Sequence, residues 1–323
     1  MNEPTQQQPF LSLAIPVYNQ AATIRATVES ALEAFRGEID VEIVVSENHS
    51  TDGTAELLSA FADKVKIVRP PSHLRMAENW NFAVDSCSGK WVGMLSGDDK
   101  ILPGYVASIR SVIANRDSAV FAYGGWMNVD ASSGAVSRRT VMSMPPIASP
   151  KKTVKSLLRG PKASFASYCF LKTAFKKVGG FPDEYNLIQD WIFQFKLGFL
   201  GDFVKTDSII AEYLVGHDRN ELEFQRVPLY ISDFVRFCCE DMWLSADMAI
   251  TKRTLLNVCE LRASYCEALL DRYPHWRDKG DALLSPLYEL IGRERVSINR
   301  KKYNRPYFAY AISIVRKFLQ ALF

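Results

Sequence analysis

The chain has 323 residues, 48% of them hydrophobic and 23% charged, with a formal net charge of +3 at pH 7. That length and apolar content suffice to bury a sizeable core in one large domain or two small ones. The small net charge excludes a general nucleic-acid binder, whose surface is far more basic.

The leader from Met1 to Pro9 is polar and Gln-rich, without the basic-then-apolar order of a secretory signal. Nor does any apolar run approach the roughly 20 residues of a membrane-spanning helix. A cytoplasmic protein is expected. Its six cysteines (Cys87, Cys169, Cys238, Cys239, Cys259 and Cys266) form no C-x-x-C pair and no zinc-ligand spacing, so free thiols are expected.

In chain order, Phe10 to Val17 is a short apolar run that predicts a buried first strand. Thr23 to Phe35 follows as a helix with Ile24, Val28, Ala31, Leu32 and Phe35 on one face. Val41 to Val45 is a β-branched strand, and Ser50-Thr51-Asp52-Gly53-Thr54 is a turn that can cap a helix burying Leu57, Leu58 and Phe61. A strand over Val65–Val68, a helix over Asn79–Cys87 and a strand over Trp91–Leu95 continue the alternation. Further strands are expected at Ala119–Tyr123, Phe165–Leu171 and Ile209–Val215, with a helix from about Trp191 to Leu197. Residues from Ala131 to Pro150 read as an irregular excursion, and the chain beyond Arg219 reads as helical.

Strands alternating with helices imply a mixed, mostly parallel α/β sheet flanked by helices, here with a helical C-terminal extension. Ligands of such sheets sit beyond the carboxyl ends of the strands. The polar loops at Asn19, Glu47-Asn48 and Ser96-Gly97-Asp98-Asp99 all follow strand ends, so order alone places a candidate site there.

The residue types there suit a particular chemistry. Asp98 and Asp99 are adjacent carboxylates that can hold Mg²⁺ or Mn²⁺, whose preferred ligands are oxygens; as ordinary loop aspartates they would serve a turn or a cap. Glu47 can accept a nucleobase N–H, and Asn48 offers both donor and acceptor, although turn chemistry accounts for both. Asp190 opens a helix rich in aromatic residues, either as an N-cap or as a general base. His217, after the last strand, is a metal or diphosphate ligand or a surface residue.

Taken together, these segments resemble the family 2 glycosyltransferases of GT-A fold. Leu13-Ala14-Ile15-Pro16-Val17-Tyr18-Asn19 is similar to that family's opening strand and turn, and Val44 through Thr54 to its second strand and Ser-Thr-Asp-Gly-Thr turn. Leu95-Ser96-Gly97-Asp98-Asp99 resembles its metal segment, Gly179-Gly180-Phe181 through Gln189-Asp190-Trp191 its acceptor-side motif, and Tyr213 to His217 its Tyr-x-x-x-His stretch.

The resemblance implies an inverting transfer of a sugar from a nucleotide-diphosphate donor to a glycan or lipid-linked glycan, with a divalent metal (Mn²⁺ or Mg²⁺) as cofactor. Pro16, Tyr18 and Asn19 would line the nucleotide pocket and Glu47 and Asn48 would face the base. Arg75 and Asn79 would contact the nucleotide or donor sugar. Asp98, with Asp99 and His217, would hold the metal, and Asp190 would be the base. Residues 1–218 would form the nucleotide-sugar and catalytic domain and residues 219–323 a helical region.

This sequence departs from the family pattern at Ser96, Glu47, Asn48 and Gln189, where aspartate or glutamate is more usual, which leaves a non-catalytic nucleotide- or glycan-binding relative as the alternative. The Gln-x-x-Arg-Trp motif of processive synthases is missing, which points to single additions. Pro16-Val17-Tyr18-Asn19-Gln20 contains no glycine, which argues against a dinucleotide enzyme. Near the C-terminus, Phe308, Ile312, Val315, Leu319 and Leu322 share a helical face beside Arg300, Lys301 and Lys302. Such a helix packs on the core, the reading we prefer, or lies on the inner face of an anionic membrane.

Overall fold

The computed structural model describes residues 8–142, 144–215 and 220–292. The described chain divides into two compact units: one runs to Thr153 and takes in Pro161–Asp183 and Gln189–Leu214, while the other comprises Val154–Gly160, Glu184–Ile188 and the chain from Val215.

The first unit opens with β1 (Leu11–Val17), α1 (Ile24–Ala34), β2 (Val41–Glu47), α2 (Thr54–Ser59), β3 (Lys66–Val68), α3 (Met76–Asp85) and β4 (Trp91–Met94). All seven residues of β1 are buried, as a central strand covered on both faces requires. Ile24, Val28 and Ala31 of α1 pack on it within the main core. Next come β5 (Lys100–Ile101), α4 (Tyr105–Ile113), β6 (Ala119–Asp130), β7 (Val136–Thr140), β8 (Ile147–Ala148) and α5 (Pro150–Leu157). β9 (Tyr168–Leu171), α6 (Lys172–Val178), α7 (Gln189–Leu197) and β10 (Asp202–Val215) complete the α/β part.

Among the described residues ten strands form one sheet in the order β3-β2-β1-β4-β9-β6-β10-β5, with β7 on β6 and β8 on β10. The parallel part is β3-β2-β1-β4. β9 then pairs antiparallel with both β4 and β6, which makes the sheet mixed. This is the α/β fold class expected.

Several boundaries differ from expectation for local reasons. The segment taken as an irregular excursion contains β7, whose Val-Ser-Arg-Arg-Thr sequence lacks apolar alternation and is held by its ladder to β6. β6 runs past Gly124-Gly125 to Asp130. A Cβ on Gly124 would stand 2.8 Å from the Ile210 side chain, and one on Gly125 would stand 2.6 Å from Thr140 O. Glycine here therefore reflects close strand approach, not a strand end. α3 begins three residues before the expected Asn79, because the Glu78 carboxylate accepts the Arg75 N–H at 2.8 Å and caps the first turn. Phe165–Ser167 is a 3₁₀ turn ahead of β9.

The second unit is helical, with α8 (Asn220–Cys239), α9 (Lys252–Arg272) and α10 (Arg277–Ile291). Thr251 caps α9 by accepting the Thr254 N–H at 3.3 Å. Within this unit the buried Asp233 accepts hydrogen bonds from the Asn186 and Leu187 N–H groups at 3.0 and 2.7 Å, tying Glu184–Ile188 to α8. All six cysteines are unpaired. No helix among the described residues is long and apolar enough to cross a membrane. The basic amphipathic segment near the C-terminus lies outside the described residues.

Candidate functional site at the carboxyl edge of the parallel strands

Register fixes the site. Val17 lies opposite Glu47, and the Leu95 N–H bonds Ala14 O at 2.9 Å, so the chain leaves β1, β2 and β4 at one edge. Side chains then join the first two loops. Asn19, at φ 54°, takes the left-handed conformation that asparagine tolerates. Its N–H donates to Ser50 Oγ at 3.0 Å and its Oδ1 accepts from the Thr51 N–H at 2.8 Å. Asp52 accepts from the Ala21 N–H at 2.9 Å and from Thr54 Oγ1, which holds its carboxyl below the usual range. Pro16 is buried in register with Ser46, while Tyr18 is 45% exposed with its ring 4.5 Å from that of His73.

Glu47 and Asn48 are buried, and both are engaged. Glu47 accepts from the Ser50 N–H at 2.6 Å through one oxygen and meets Arg69 Nε at 3.0 Å through the other. The Asn48 amide exchanges two bonds with the Leu74 peptide, Nδ2 to O at 2.9 Å and N to Oδ1 at 2.8 Å. The His73 ring adds a bond to Asn48 O at 3.0 Å. Asn48 thus acts as a brace for the segment that leads into α3. Arg75 is exposed and bridges Glu78 and Asp183, while Asn79 is buried and accepts from Ser46 Oγ at 2.6 Å.

After β4 the chain turns through Ser96–Asp99. Thr23 and Thr27 of the first helical turn donate to Gly97 O at 2.8 and 3.0 Å, and Thr27 also reaches Asp99 O at 2.8 Å. Asp99 is 1% exposed. Its Oδ1 accepts from the Leu214 N–H at 2.9 Å, but its Oδ2 is buried with no hydrogen-bond partner among the described residues. Burial, and next the charge of Asp98, push the Asp99 carboxyl well above the usual range. A buried oxygen lacking a donor, beside a second carboxylate, matches the hard-oxygen donor set of Mg²⁺ or Mn²⁺. Among the described residues no group of three potential ligands converges. His217 lies outside them.

Asp190 is half-buried in the first turn of α7, where its Oδ1 accepts the Trp191 N–H at 2.7 Å. Protein packed around the carboxyl desolvates it and pushes it up to about 6, against the lowering effect of the nearby N–H groups. Burial, and then the Asp190 charge, raise the Tyr168 phenol. Tyr168 begins β9, whose Cys169 lies opposite Gly93 of β4. Because that pair is antiparallel, Tyr168 sits toward the carboxyl end of β4, the end from which the Ser96–Asp99 turn leaves.

Arg69, His73, Thr27 and Tyr168 were not among the residues singled out from the sequence. Each acts through a partner 20 or more positions distant or through burial, and no local pattern marks them. Thr27 alone left a trace, as a hydroxyl on the apolar face of α1.

Comparisons with known proteins bear on the family and the fold. The succinoglycan biosynthesis protein ExoO of Rhizobium meliloti is 31% identical over 121 residues, 37% of this chain and 33% of ExoO. An uncharacterized glycosyltransferase of Rickettsia typhi is 24% identical over 264 residues, 77% of this chain and 75% of its own. The chain spans only about a third of the length of several other curated relatives, such as an uncharacterized glycosyltransferase of Rickettsia felis matched over 34% of its length. In fold it resembles S. aureus TarS 1–349 in complex with UDP-GlcNAc (TM-score 0.57, 14% identity, 90% of this chain and 92% of that one). It also resembles the mannosyltransferase PcManGT of Pyrobaculum calidifontis in complex with GDP-Man and Mn²⁺ (TM-score 0.54, 14% identity, 90% and 88% covered). A family model matches residues 12–177, and with the mixed sheet and the loops at its carboxyl edge it supports a plain statement: the chain belongs to glycosyl transferase family 2.

Proposed function

We propose that the chain transfers a sugar from a nucleotide-diphosphate donor to a hydroxyl of a glycan or lipid-linked glycan, with inversion, in cell-surface polysaccharide or glycolipid synthesis. The observation that carries this reading is the carboxylate pair Asp98-Asp99 at the carboxyl end of β4, with a buried Asp99 oxygen that no donor satisfies. Asp98, Asp99 and His217 would hold a divalent cation, which when bound would neutralise charge on the departing diphosphate. Tyr18 and Asn19 would border the nucleotide, Arg75 and Asn79 the donor, and Glu47 with Arg69 the base. Residues 1–218 would carry donor binding and catalysis, and residues 219–323 would bear on acceptor choice.

Asp190 supplies the proton acceptor. A carboxyl raised to about 6 is ionised near neutral pH yet more basic than an ordinary aspartate, which suits removal of a proton from an attacking alcohol. Inversion requires that alcohol to approach opposite the leaving group, with the base behind it.

Transfer assays with Mn²⁺, comparing wild type with Asp98→Ala and Asp190→Ala, test the reading. Loss of turnover in both is expected, and full activity in both would refute it. Ser96 and Gln189, which stand where the family more often has acidic residues, favour a second reading, a relative that binds nucleotide without turnover. Calorimetry showing tight nucleotide binding with no transfer to any glycan would select it. A thermal-shift screen of UDP-, GDP- and dTDP-sugars identifies the donor, because a ligand of the native state alone raises the midpoint.

A further inference from the structure

A second cleft lies at the opposite edge of the sheet. Its volume is about 620 Å³, within the range of small-molecule sites. Ile113 of α4, Trp91 at the start of β4 and Leu171 at the end of β9 form its apolar wall. Lys90, Arg116, Lys172 and Lys176 surround it, with Asp117 as the one carboxylate among its lining residues. β4 begins here and ends at the candidate donor site, so the two sites occupy opposite ends of one strand.

The charges around the cleft are incompletely compensated. Lys176 pairs with Asp85. Lys172 donates to the carbonyls of Cys87 and Asp85, which are neutral. Arg116 spends its Nε–H on Val112 O at 3.0 Å. Among the described residues neither Lys90 nor Arg116 has a carboxylate partner. Cations therefore outnumber carboxylates around a concave, partly apolar wall, with the Asn115 amide and the Thr173 hydroxyl as further lining donors. Donor-rich concavities of one sign concentrate anions. Tetrahedral oxyanions that accept several bonds from Lys and Arg fit best, and the wall leaves room for an attached organic group.

We propose that this cleft binds a phosphate-bearing ligand, through Lys90 and Arg116, at a site separate from the one for the nucleotide-diphosphate donor. The phosphate belongs either to a soluble phosphate compound or to a phospholipid headgroup, and two arms of one experiment separate these sources. The full chain is titrated with inorganic phosphate in EDTA by calorimetry, and cosedimented with phosphatidylglycerol or phosphatidylcholine vesicles. Lys90→Ala/Arg116→Ala is compared with wild type and with Lys64→Ala/Lys177→Ala, which removes the same charge from exposed positions outside the cleft. Thermal midpoints verify that all three fold.

At least a tenfold weakening in the cleft variant alone is expected. Seen with inorganic phosphate, it supports the proposal with a soluble ligand; seen only with phosphatidylglycerol vesicles, it supports the proposal with a lipid headgroup. No binding in either arm, or equal weakening in both double variants, overturns it.

Discussion

Asn48→Ala separates a brace from a base-reading residue. The wild-type amide is 2% exposed and makes two bonds to the Leu74 peptide at 2.9 and 2.8 Å. Each such bond contributes about 1 kcal/mol net, and a donor or acceptor left unpaired in a part-buried site adds to the loss. Leu74 is only half-buried, so water recovers some of that penalty. The expected cost is about 2–3 kcal/mol. For a unit of this size, that corresponds to a fall in midpoint of roughly 5–10 °C. Urea unfolding followed by circular dichroism reads the change as a lower midpoint concentration at unchanged slope. Donor affinity should fall as well, and by the same factor for UDP- and GDP-sugars, because the brace positions the segment before α3 without touching the base. A stability change below about 0.5 kcal/mol, together with a loss of affinity confined to one base, would refute the reasoning.

Further outcomes follow from the same geometry. Asp190→Asn should lower turnover about 10²- to 10⁴-fold with donor dissociation constants unchanged, as measured by single-turnover transfer and calorimetry. Wild-type turnover should rise with pH up to about 6 and level off above it, because the base works only when deprotonated; a profile flat from pH 5 to 8 contradicts its role. Asp99 has a raised carboxyl, so without metal its stabilising contribution is complete below the ordinary value of 3.8 and is lost as pH rises through its folded value. A cation displaces that proton, so the Mn²⁺-induced rise in thermal midpoint should be larger at pH 8 than at pH 5.5 and absent in Asp98→Ala and Asp99→Asn. Gly89→Ala would place a Cβ 2.6 Å from Ser12 N and 2.9 Å from Trp91 O. Backbone cannot rotate away, so a loss of at least about 1–3 kcal/mol in urea unfolding is expected, and a neutral substitution would show that the β1–β4 approach is looser than described.

The α/β alternation and the edge where the polar loops of the candidate site emerge were legible in the sequence alone. Buried strands such as Leu11–Val17 are apolar throughout, and α1 repeats its apolar residues with the period of a helix, so each segment declares its environment locally. Asn19 after β1, Asn48 after β2 and Gly97-Asp98-Asp99 after β4 mark where the polar loops emerge. Tertiary structure decided what those loop residues do. Glu47 and Asn48 look like free base-reading groups in a linear chain, yet Arg69 and Leu74, more than 20 positions on, engage them. Only packing makes Asp99 a buried carboxylate with an unsatisfied oxygen and raises Asp190 to about 6, because burial depends on parts of the chain distant in sequence, such as Leu214 beside Asp99, that no local pattern specifies. The strands through Gly124-Gly125 and Val136–Thr140 were likewise hidden, since close approach and a hydrogen-bonded ladder hold them in place of hydrophobic alternation.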